Sequence, residues 1–434
     1  MTLFDCVTQI NSLLAIPTTL IFLSVAIILT FRTRFVQIRA LQRFWKILSK
    51  GSRKSSDKSV KTITPFQALF SAMTTTIGMG NVVGPTMAIA IGGPGALFWL
   101  IIYILLSMVV KFVEVTFSVY SRSVTKTGEI IGGPAQYLKI VSPKLASWYA
   151  FSTMLLFSGW CGLQTNTLAA IYEKENIPLW LTGLLASFLV LPVVFGGIQR
   201  IGAIASKIIP FVFVLYVSYT LLILLKNASL IPGAIKLVFS NAFSPCAAFG
   251  GFLGATVFVA LKEGVYKSVF ITESGLGTSS IAHAFADVDN PTDQGILAMF
   301  SGFANIFLCI LSGLLALVTS VWTNSGFSST IVYDAFRQNS PVFGKFILLL
   351  SVTIFVVTTI VGNTFNGSQS FASIWGYRFI KIYYIFAAVI TFLGAISNVP
   401  LIWAIMDIML ALVALPNVIS VMMLAIKYPK IIKV

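Results

Sequence analysis

The chain has 434 residues, of which 57% are hydrophobic and only 10% are charged. Soluble domains carry about 25% charged residues, so this composition excludes a soluble globular fold and indicates an integral membrane protein. The formal net charge of +16 is then typical of basic loops on the cytoplasmic side of a membrane, and we expect no nucleic-acid partner. The four cysteines have neither metal-ligand nor redox spacing, which favours a packing role.

The chain opens on an apolar run at residues 11–31 that no basic residue precedes. Because a secretory signal peptide carries positive charges before its apolar core, residues 1–31 are predicted to contain a permanent transmembrane helix with its N-terminus outside. The next segment, residues 32–64, carries ten basic residues opposed by Asp57. Its apolar and basic side chains both recur at helical spacing, which favours an amphipathic helix on the anionic inner membrane surface; a solvated cytoplasmic loop is the alternative.

Ten further apolar runs follow, and with the first they predict an all-α polytopic membrane protein of about eleven transmembrane helices. These runs cover residues 66–91, 95–120, 146–172, 178–196, 204–225, 247–268, 294–320, 344–367, 380–398 and 400–426. A path that starts outside places 24 Lys and Arg residues inside and 5 outside. Since cytoplasmic loops are enriched in these residues, the ratio favours an N-out, C-in arrangement. The count assigns Lys262 and Lys267 to the inner side.

Glycine-rich sequences interrupt two of the predicted spans. The second span contains Gly78, Gly80 and Gly84, and the seventh contains residues 250–254. With the first helix set aside, these spans are the first and sixth of ten core helices. The pattern predicts an inverted repeat of five plus five helices, residues 65–226 and 227–434, in which transporters bind substrate at the breaks. Close helix packing through glycine is the alternative.

A broken helix leaves backbone amides and carbonyls unpaired within the membrane. A zwitterionic amino acid together with a small cation would satisfy both kinds of group. The expected substrate contacts are Thr76, Gly78, Met79, Gly80, Asn81, Gln164, Thr359 and Asn363. The expected cation contacts are Thr75, Gly78, Thr358 and Thr359. Each polar side chain has a structural alternative: a hydrogen bond to a neighbouring helix for Gln164, and one to its own helix for the threonines.

Few ionisable side chains fall within the predicted spans. Asp407 lies in the last span and is a functional candidate by default, although its position also fits the membrane interface. Lys111 and Glu114 are three residues apart, which favours a structural pair. The single histidine, His283, falls in a predicted inner loop and cannot form a metal site alone.

Several stretches, in order along the chain, resemble the alanine or glycine:cation symporter family, the sodium:alanine symporters. They are Phe66-Gln67-Ala68-Leu69, Gly78-Met79-Gly80-Asn81, residues 92–99, residues 111–116, Gly132-Gly133-Pro134, Gln164-Thr165-Asn166, residues 273–277 and Pro416-Asn417. The resemblance implies Na⁺-driven import of alanine or glycine in a leucine-transporter-like fold with an extra first helix. It also implies a multi-pass protein of the bacterial cytoplasmic membrane, with Na⁺ as coupling ion and no further cofactor.

Three single positions and one five-residue stretch depart from the family pattern. Met79 replaces a threonine in the G-T-G-N stretch, Asn305 replaces an aspartate, and Asn363 replaces a tryptophan. Residues 271–275 read Ile-Thr-Glu-Ser-Gly where Ser-Asn-Glu-Ala-Gly is usual. The changes at positions 79 and 363 leave the substrate side chain open, and D-alanine and serine stay among the candidates.

Three other functions compete with a sodium symporter. A proton-coupled symporter would use Asp407 as its carrier. A membrane-embedded enzyme would need a cluster of acids, bases or metal ligands, which one histidine and few in-span carboxylates do not supply. A channel would need a filter motif or a short ring-forming subunit, and neither is present. The oligomeric state is not readable from the sequence.

Overall fold

The computed structural model describes residues 3–50, 62–125, 128, 130–243, 257–323 and 330–434. Within these ranges the chain forms helices and one short antiparallel hairpin, β1 (Ser123–Val124) with β2 (Ile130–Ile131). The α-helices are α1 Leu3–Arg32, α2 Val36–Arg39, α3 Leu41–Lys50, α4 Pro65–Thr76, α5 Met79–Gly92, α6 Gly95–Tyr120, α7 Pro134–Val141, α8 Pro143–Glu173, α9 Leu179–Val194, α10 Gly197–Lys226, α11 Ile231–Phe243, α12 Val257–Thr272, α13 Ser279–His283, α14 Pro291–Val318, α15 Ile331–Asn339, α16 Phe343–Trp375, α17 Ile380–Ala395 and α18 Val399–Lys427. Short 3₁₀ turns lie at Ala228–Leu230, Val321–Thr323 and Tyr377–Phe379.

Seven helical segments of the described chain are long and apolar enough to cross a membrane. They are Asp5–Arg32, Gly95–Tyr120, Gly197–Lys226, Pro291–Val318, Phe343–Trp375, Tyr377–Ala395 and Pro400–Lys427. The other four predicted spans correspond to the divided pair α4 and α5, the 31-residue α8, the 16-residue α9, and α12 with residues that lie outside the described ranges. A multi-pass helical protein is therefore confirmed, and the number eleven stays a prediction.

The first predicted break lies where the sequence places it. Helix α4 ends at Thr76 and α5 begins at Met79, with Ile77 and Gly78 in extended conformation between them. The side chain of Asn81 accepts the Gly78 amide at 3.2 Å, and its own amide donates to Asn305 of α14 at 3.0 Å. The start of α5 is thus fixed to a neighbouring helix, which holds the interruption at one position.

A second interruption follows α12. The predicted break at residues 250–254 lies outside the described residues, whereas residues 273–278 separate α12 from α13. Glu273, Gly275 and Gly277 have φ values of 57°, 95° and 76°, and glycine adopts this left-handed region at little cost. Helix α12 cannot continue through such a segment, so the described chain contains two broken helices.

A buried carboxylate holds the second interruption in place. Glu114 of α6 accepts the Gly275 amide at 3.1 Å and the Asn417 side-chain amide at 2.7 Å. Asn417 of α18 also donates to the Gly275 carbonyl at 2.8 Å. Glu114 therefore pairs with the interrupted backbone, and no ion pair joins it to Lys111 in the described part of the molecule.

A short backbone bridge connects the segments that flank the two interruptions. The Ile63 amide donates to the Phe285 carbonyl at 3.0 Å, and the Asp287 amide donates to the Ile63 carbonyl at 2.9 Å. Ile63 precedes α4, and residues 285–287 follow α13. The two half-helices α4 and α13 are thus tied at one end of the bundle.

The extra first helix and the amphipathic helix both pack against the core. In α1, Asn11 donates to the Ala404 carbonyl of α18 at 2.8 Å, and Arg32 donates to the Ala425 carbonyl at 3.1 Å. In α3, Arg43 pairs with Asp293 of α14 at 2.6 Å, while Trp45 is 62% exposed. An exposed tryptophan on a basic helix is consistent with the predicted location at the membrane surface.

The prediction that Lys262 and Lys267 lie on the inner side is wrong if the N-terminus is outside. Both lysines lie beside Asn11, near the start of α1, and beside Pro400, at the start of α18. The predicted span ended at residue 268, whereas α12 runs from Val257 to Thr272, so both lysines lie within the helix and not in a loop at its inner end. Moving both lysines to the outer side leaves 22 basic residues inside and 7 outside, so Lys and Arg still predominate on the inner side.

Cysteine labelling tests the orientation. Ser49 of α3 and Ser397, between α17 and α18, are both exposed and lie on opposite sides in the predicted arrangement. In a background without native cysteines, we expect an impermeant thiol reagent added to intact cells to label cysteine at 397 and to spare cysteine at 49. Permeabilised cells should label both positions. The reverse pattern in intact cells would overturn the N-out arrangement.

Candidate functional site

A narrow cavity lies beside the first interruption, bounded by α4, α5, α8, α12 and α16. Its lining residues are Thr75, Gly80, Trp160, Gln164, Phe270, Ile271, Glu273, Thr359 and Asn363. A second small cavity adjoins it, and both share Gly80, Gln164 and Phe270. Each has a volume of about 10 Å³, which is room for about one water molecule. A larger ligand can therefore enter only after lining side chains move.

Five buried polar atoms on this cavity's lining residues have no hydrogen-bond partner in the described structure. They are Trp160 Nε1, Gln164 Oε1, Thr359 Oγ1, Asn363 Oδ1 and Asn363 Nδ2. Leaving a buried polar group unpaired costs about 1–3 kcal/mol, and most such groups in proteins are paired. Several unpaired atoms around one cavity point to a polar ligand that supplies the missing partners.

One side of the cavity carries a carboxylate that sequence reasoning did not assign to the site. Glu273, at the end of α12, is buried, and its Oε2 accepts the Thr278 hydroxyl at 2.5 Å. It reaches the first break because the interruption at residues 273–278 turns the backbone there. Two closely spaced glycines, Gly275 and Gly277, follow Glu273 in the sequence. They were the available sequence signal for this interruption.

Five of the predicted residues meet at the first cavity: Thr75, Gly80, Gln164, Thr359 and Asn363. Met79 lines the second cavity. Gly78 faces α16 so closely that a Cβ built on it would lie 2.3 Å from Thr359 Oγ1. The substrate and cation contacts predicted from three separate spans therefore do converge in space.

The remaining predicted contacts are engaged with the protein itself. Asn81 accepts the Gly78 amide and donates to Asn305, so that backbone amide already has a partner and the Asn81 side chain is held in place by the protein. The hydroxyls of Thr76 and Thr358 donate to their own helices, to Ala72 O at 3.4 Å and to Ile354 O at 2.8 Å. A hydroxyl that gives its proton to a carbonyl keeps its oxygen lone pairs, so Thr358 can still coordinate a cation.

The end of α4 offers carbonyl oxygens for a cation. A helix leaves its last carbonyls without intrahelical partners, and in the described structure those of Thr74, Thr75 and Thr76 accept no backbone hydrogen bond. Gly362 of α16 packs against this end, since a Cβ built on it would lie 2.2 Å from Thr74 Oγ1. The end of α4 therefore lies against the part of α16 where Thr358 and Thr359 precede Gly362 by about one helical turn.

Three aromatic rings cover the site. Phe270 lies between Trp160, with ring centroids 5.6 Å apart, and Trp403, with centroids 5.3 Å apart. Phe270 lines both small cavities, and Trp403 lines the second of them together with a larger cavity beyond. Because these rings come from three different helices, sequence spacing gave no sign of the cluster.

Asp407 and His283 lie away from the small cavities. Asp407 faces the larger cavity, with its carboxylate 3.8 Å from the Lys267 ammonium. His283 is buried, and its Nδ1 lies 2.6 Å from Gln294 Nε2. The histidine is therefore a paired side chain within the packing of the bundle.

Removing the Gln164 amide tests whether this residue contacts the ligand. We expect Gln164→Ala to weaken binding by about 1–3 kcal/mol, the scale for a lost buried polar partner. Thr165→Ala is the matched control, because Thr165 is equally buried and its hydroxyl bonds only Cys161 O of its own helix. Equal affinities of folded Gln164→Ala and wild-type protein in radioligand binding would remove Gln164 from the site.

Comparison with known proteins identifies the family of the chain. The family model described as "Sodium:alanine symporter family" matches residues 1–434. An uncharacterized transporter of Haemophilus influenzae is 36% identical over 97% of this chain and 93% of its own length. The sodium/alanine symporter AgcS of Methanococcus maripaludis is 31% identical over 96% of this chain and 94% of its own length.

Among solved structures, MhsT in complex with L-phenylalanine matches with a TM-score of 0.61. The sequence identity is 14%, and the match covers 85% of this chain and 90% of MhsT. At this identity the likeness shows the fold alone, which is leucine-transporter-like, as the sequence resemblance implied.

Proposed function

The chain belongs to the sodium:alanine symporter family, and we propose that it imports a small neutral amino acid together with Na⁺ by alternating access. The protein is a multi-pass membrane transporter and not an enzyme. Alanine and glycine, including D-alanine, are the proposed substrates, and the bacterial cytoplasmic membrane is the proposed location. The observation that carries the proposal is the set of five unpaired polar atoms beside the first helix break.

The charges around the cavity fit a zwitterion. The Glu273 carboxylate and the oxygens of Gln164 and Asn363 can accept hydrogen bonds from an ammonium group. The first amides of α5, those of Met79 and Gly80, lie at a helix N-terminus, where donors without intrahelical partners favour a carboxylate. Asn363 Nδ2 supplies a further donor. We assign Thr76 and Asn81 to shaping the break rather than to contacting the substrate.

The narrow space favours a short substrate side chain. Met79 and Phe270 lie beside the proposed position of the amino acid, and each small cavity has only about 10 Å³ of free volume. A long side chain would require both residues to move. Alanine and glycine require the smallest rearrangement.

Na⁺ is proposed to bind between the end of α4 and α16. The oxygens available there are the unpaired carbonyls of residues 74–76 and the hydroxyls of Thr358 and Thr359. Hard cations prefer such oxygen ligands. The position beside the first break would link ion binding to substrate binding, because Thr359 also lines the cavity.

The proposed organisation is an inverted repeat behind the extra helix α1. Residues 65–226 open on the broken helix formed by α4 and α5, and residues 227–434 contain the broken helix formed by α12 and α13. In transporters built from such repeats, substrate lies between the broken helices and the repeats rock around it. The segment 32–64, which contains α3, is proposed to lie on the inner membrane surface.

Uptake into proteoliposomes tests the proposal. Alanine should accumulate against its gradient only while a Na⁺ gradient is present, which a channel cannot achieve. We expect Thr359→Val to raise the half-maximal Na⁺ concentration about tenfold, as loss of one polar partner predicts, and Thr359→Ser to restore it. Thr19→Val is the control, because Thr19 is fully buried and its hydroxyl bonds Ala15 O of its own helix.

Proton coupling is the competing mechanism, with Asp407 as carrier. If Thr359→Val leaves the Na⁺ response unchanged while Asp407→Asn abolishes a pH-dependent uptake, the sodium assignment is wrong. The proposal instead expects Asp407→Asn to retain uptake driven by Na⁺ at saturating alanine.

A further inference from the structure

A larger cavity opens beyond the aromatic rings, at the end of the bundle where α1 and α18 begin. Its volume is about 500 Å³, within the range of small-molecule sites in proteins, about 300–1,000 Å³. Its walls come from α1, α5, α12 and α18. The wall formed by α1 is fixed to α18, because Asn11 donates to the Ala404 carbonyl at 2.8 Å.

The Lys267 ammonium is the least satisfied charge in this cavity. Its side chain is only 3% exposed, and the nearest carboxylate, that of Asp407, lies 3.8 Å away, beyond hydrogen-bond distance. The ammonium also lies 4.6 Å from the centroid of the Trp403 ring. An ammonium has three donors, and a buried charge is costly unless it is both paired and hydrogen-bonded. Lys267 can therefore accept a carboxylate from a ligand.

The described residues that line the cavity carry charges of both signs in equal number. Besides Lys267 and Asp407, it is lined by Lys262 and Glu263, whose charged groups lie 2.9 Å apart. A cavity with two cations and two anions has no net charge to attract a free inorganic ion of either sign. A zwitterion is complementary to it. Its carboxylate can bind the Lys267 ammonium more closely than Asp407 does, while its ammonium binds the Asp407 carboxylate.

The position of Trp403 connects this cavity with the proposed substrate site. Its ring lines both the large cavity and the second small cavity, and its indole N–H has no partner in the described structure. Phe270 packs against the same ring. A molecule in the large cavity would thus be separated from the substrate site by one layer of aromatic side chains.

We propose that the large cavity binds a second zwitterionic amino acid, with its carboxylate on Lys267 and its ammonium at Asp407. The proposal rests on the proposed transport of amino acids. At 500 Å³ the cavity also accepts side chains that the narrow substrate site excludes. Larger amino acids should therefore bind here and inhibit alanine uptake without being transported.

Binding stoichiometry tests the second site. Purified protein in lipid nanodiscs should bind two molecules of radiolabelled alanine per chain in Na⁺. Lys267→Gln and Asp407→Asn should each bind one molecule, whereas Lys267→Arg should bind two. Lys174→Gln is the matched control: Lys174 pairs with Asp334 at 2.6 Å outside this cavity, and two molecules should still bind.

The outcomes separate this inference from the proposed function. Wild-type protein that transports alanine with Na⁺ but binds one molecule overturns the second site alone, as does Lys267→Gln protein that still binds two. Failure of Na⁺-driven uptake and of all alanine binding overturns both proposals. The single molecule bound by Lys267→Gln also shows that this variant is folded. Asp407→Asn tests the same loss of one bound molecule through the other charged group of the site.

Discussion

Replacing Gly78 with alanine should lower the initial rate of alanine uptake by about 100-fold, the scale for a displacement of about 1 Å at a reacting or binding centre. The backbone is not the cause, because Gly78 has an extended conformation, with a φ of −166°, that alanine also adopts. The cause is the added Cβ, which would lie 2.3 Å from Thr359 Oγ1. Either the Thr359 hydroxyl would have to turn away from this position or α5 and α16 would have to separate, and both changes alter the proposed substrate and cation sites.

A double variant identifies the contact responsible. When Thr359 is also alanine, the nearest remaining atoms to the new Cβ are Thr359 Cβ at 3.6 Å and the Phe355 carbonyl oxygen at 3.7 Å, which are ordinary contacts. The variant with Gly78→Ala and Thr359→Ala should therefore transport like Thr359→Ala alone. This strong non-additivity is expected for residues in contact. An additive loss in the double variant would contradict the proposed packing of α5 on α16.

Replacing Gly394 with alanine should markedly destabilise the folded protein. Helices α8 and α17 meet at Gly162 and Gly394, and a Cβ built on Gly394 would lie 2.2 Å from Gly162 Cα and 2.3 Å from its carbonyl oxygen. These are backbone atoms, so the helices must separate. Asn166 would then also lose its hydrogen bond to Gly394 O, 2.9 Å long. Overpacking of this kind costs about 1–3 kcal/mol, occasionally more.

The midpoint of thermal unfolding in detergent measures this effect. Gly233→Ala is the matched control, because a Cβ on Gly233 of α11 meets no atom within 4 Å. We expect the midpoint to fall markedly for Gly394→Ala and to stay within error for Gly233→Ala. Equal midpoints for both variants would mean that α8 and α17 do not pack through these two glycines.

The first break could be predicted because its signals are local. Gly78 and Asn81 lie three residues apart, and the asparagine caps the amide of the glycine directly. The second break was harder, because the run at residues 250–254 has more glycines than residues 273–277. What distinguishes Gly275 and Gly277 is their positive φ, and the bonds to Glu114 and Asn417 that hold the segment come from distant parts of the chain.

In the candidate site, too, residues with a local sequence signal could be predicted, and residues that depend on distant contacts could not. Gln164, Thr359 and Asn363 stood out because polar side chains are rare in apolar spans, and all three line the cavity. Phe270 and Trp160 did not stand out, since aromatic residues are common in membrane helices and their role depends on which helices meet. The positions of Lys262 and Lys267 were misjudged for a related reason: a charge count reads the ends of spans and cannot detect lysines that line an internal cavity.

The backbone bridge at Ile63 restricts which motions are available to the transporter. Two hydrogen bonds join the start of α4 to the segment after α13, so the two half-helices have few independent degrees of freedom. Swinging either one alone would break both bonds, and Ile63 is only 2% exposed, so its backbone groups would lose their partners while still shielded from water. We therefore expect an opening on that side to move the pair together, with Ile77–Gly78 and residues 273–278 as the two hinges.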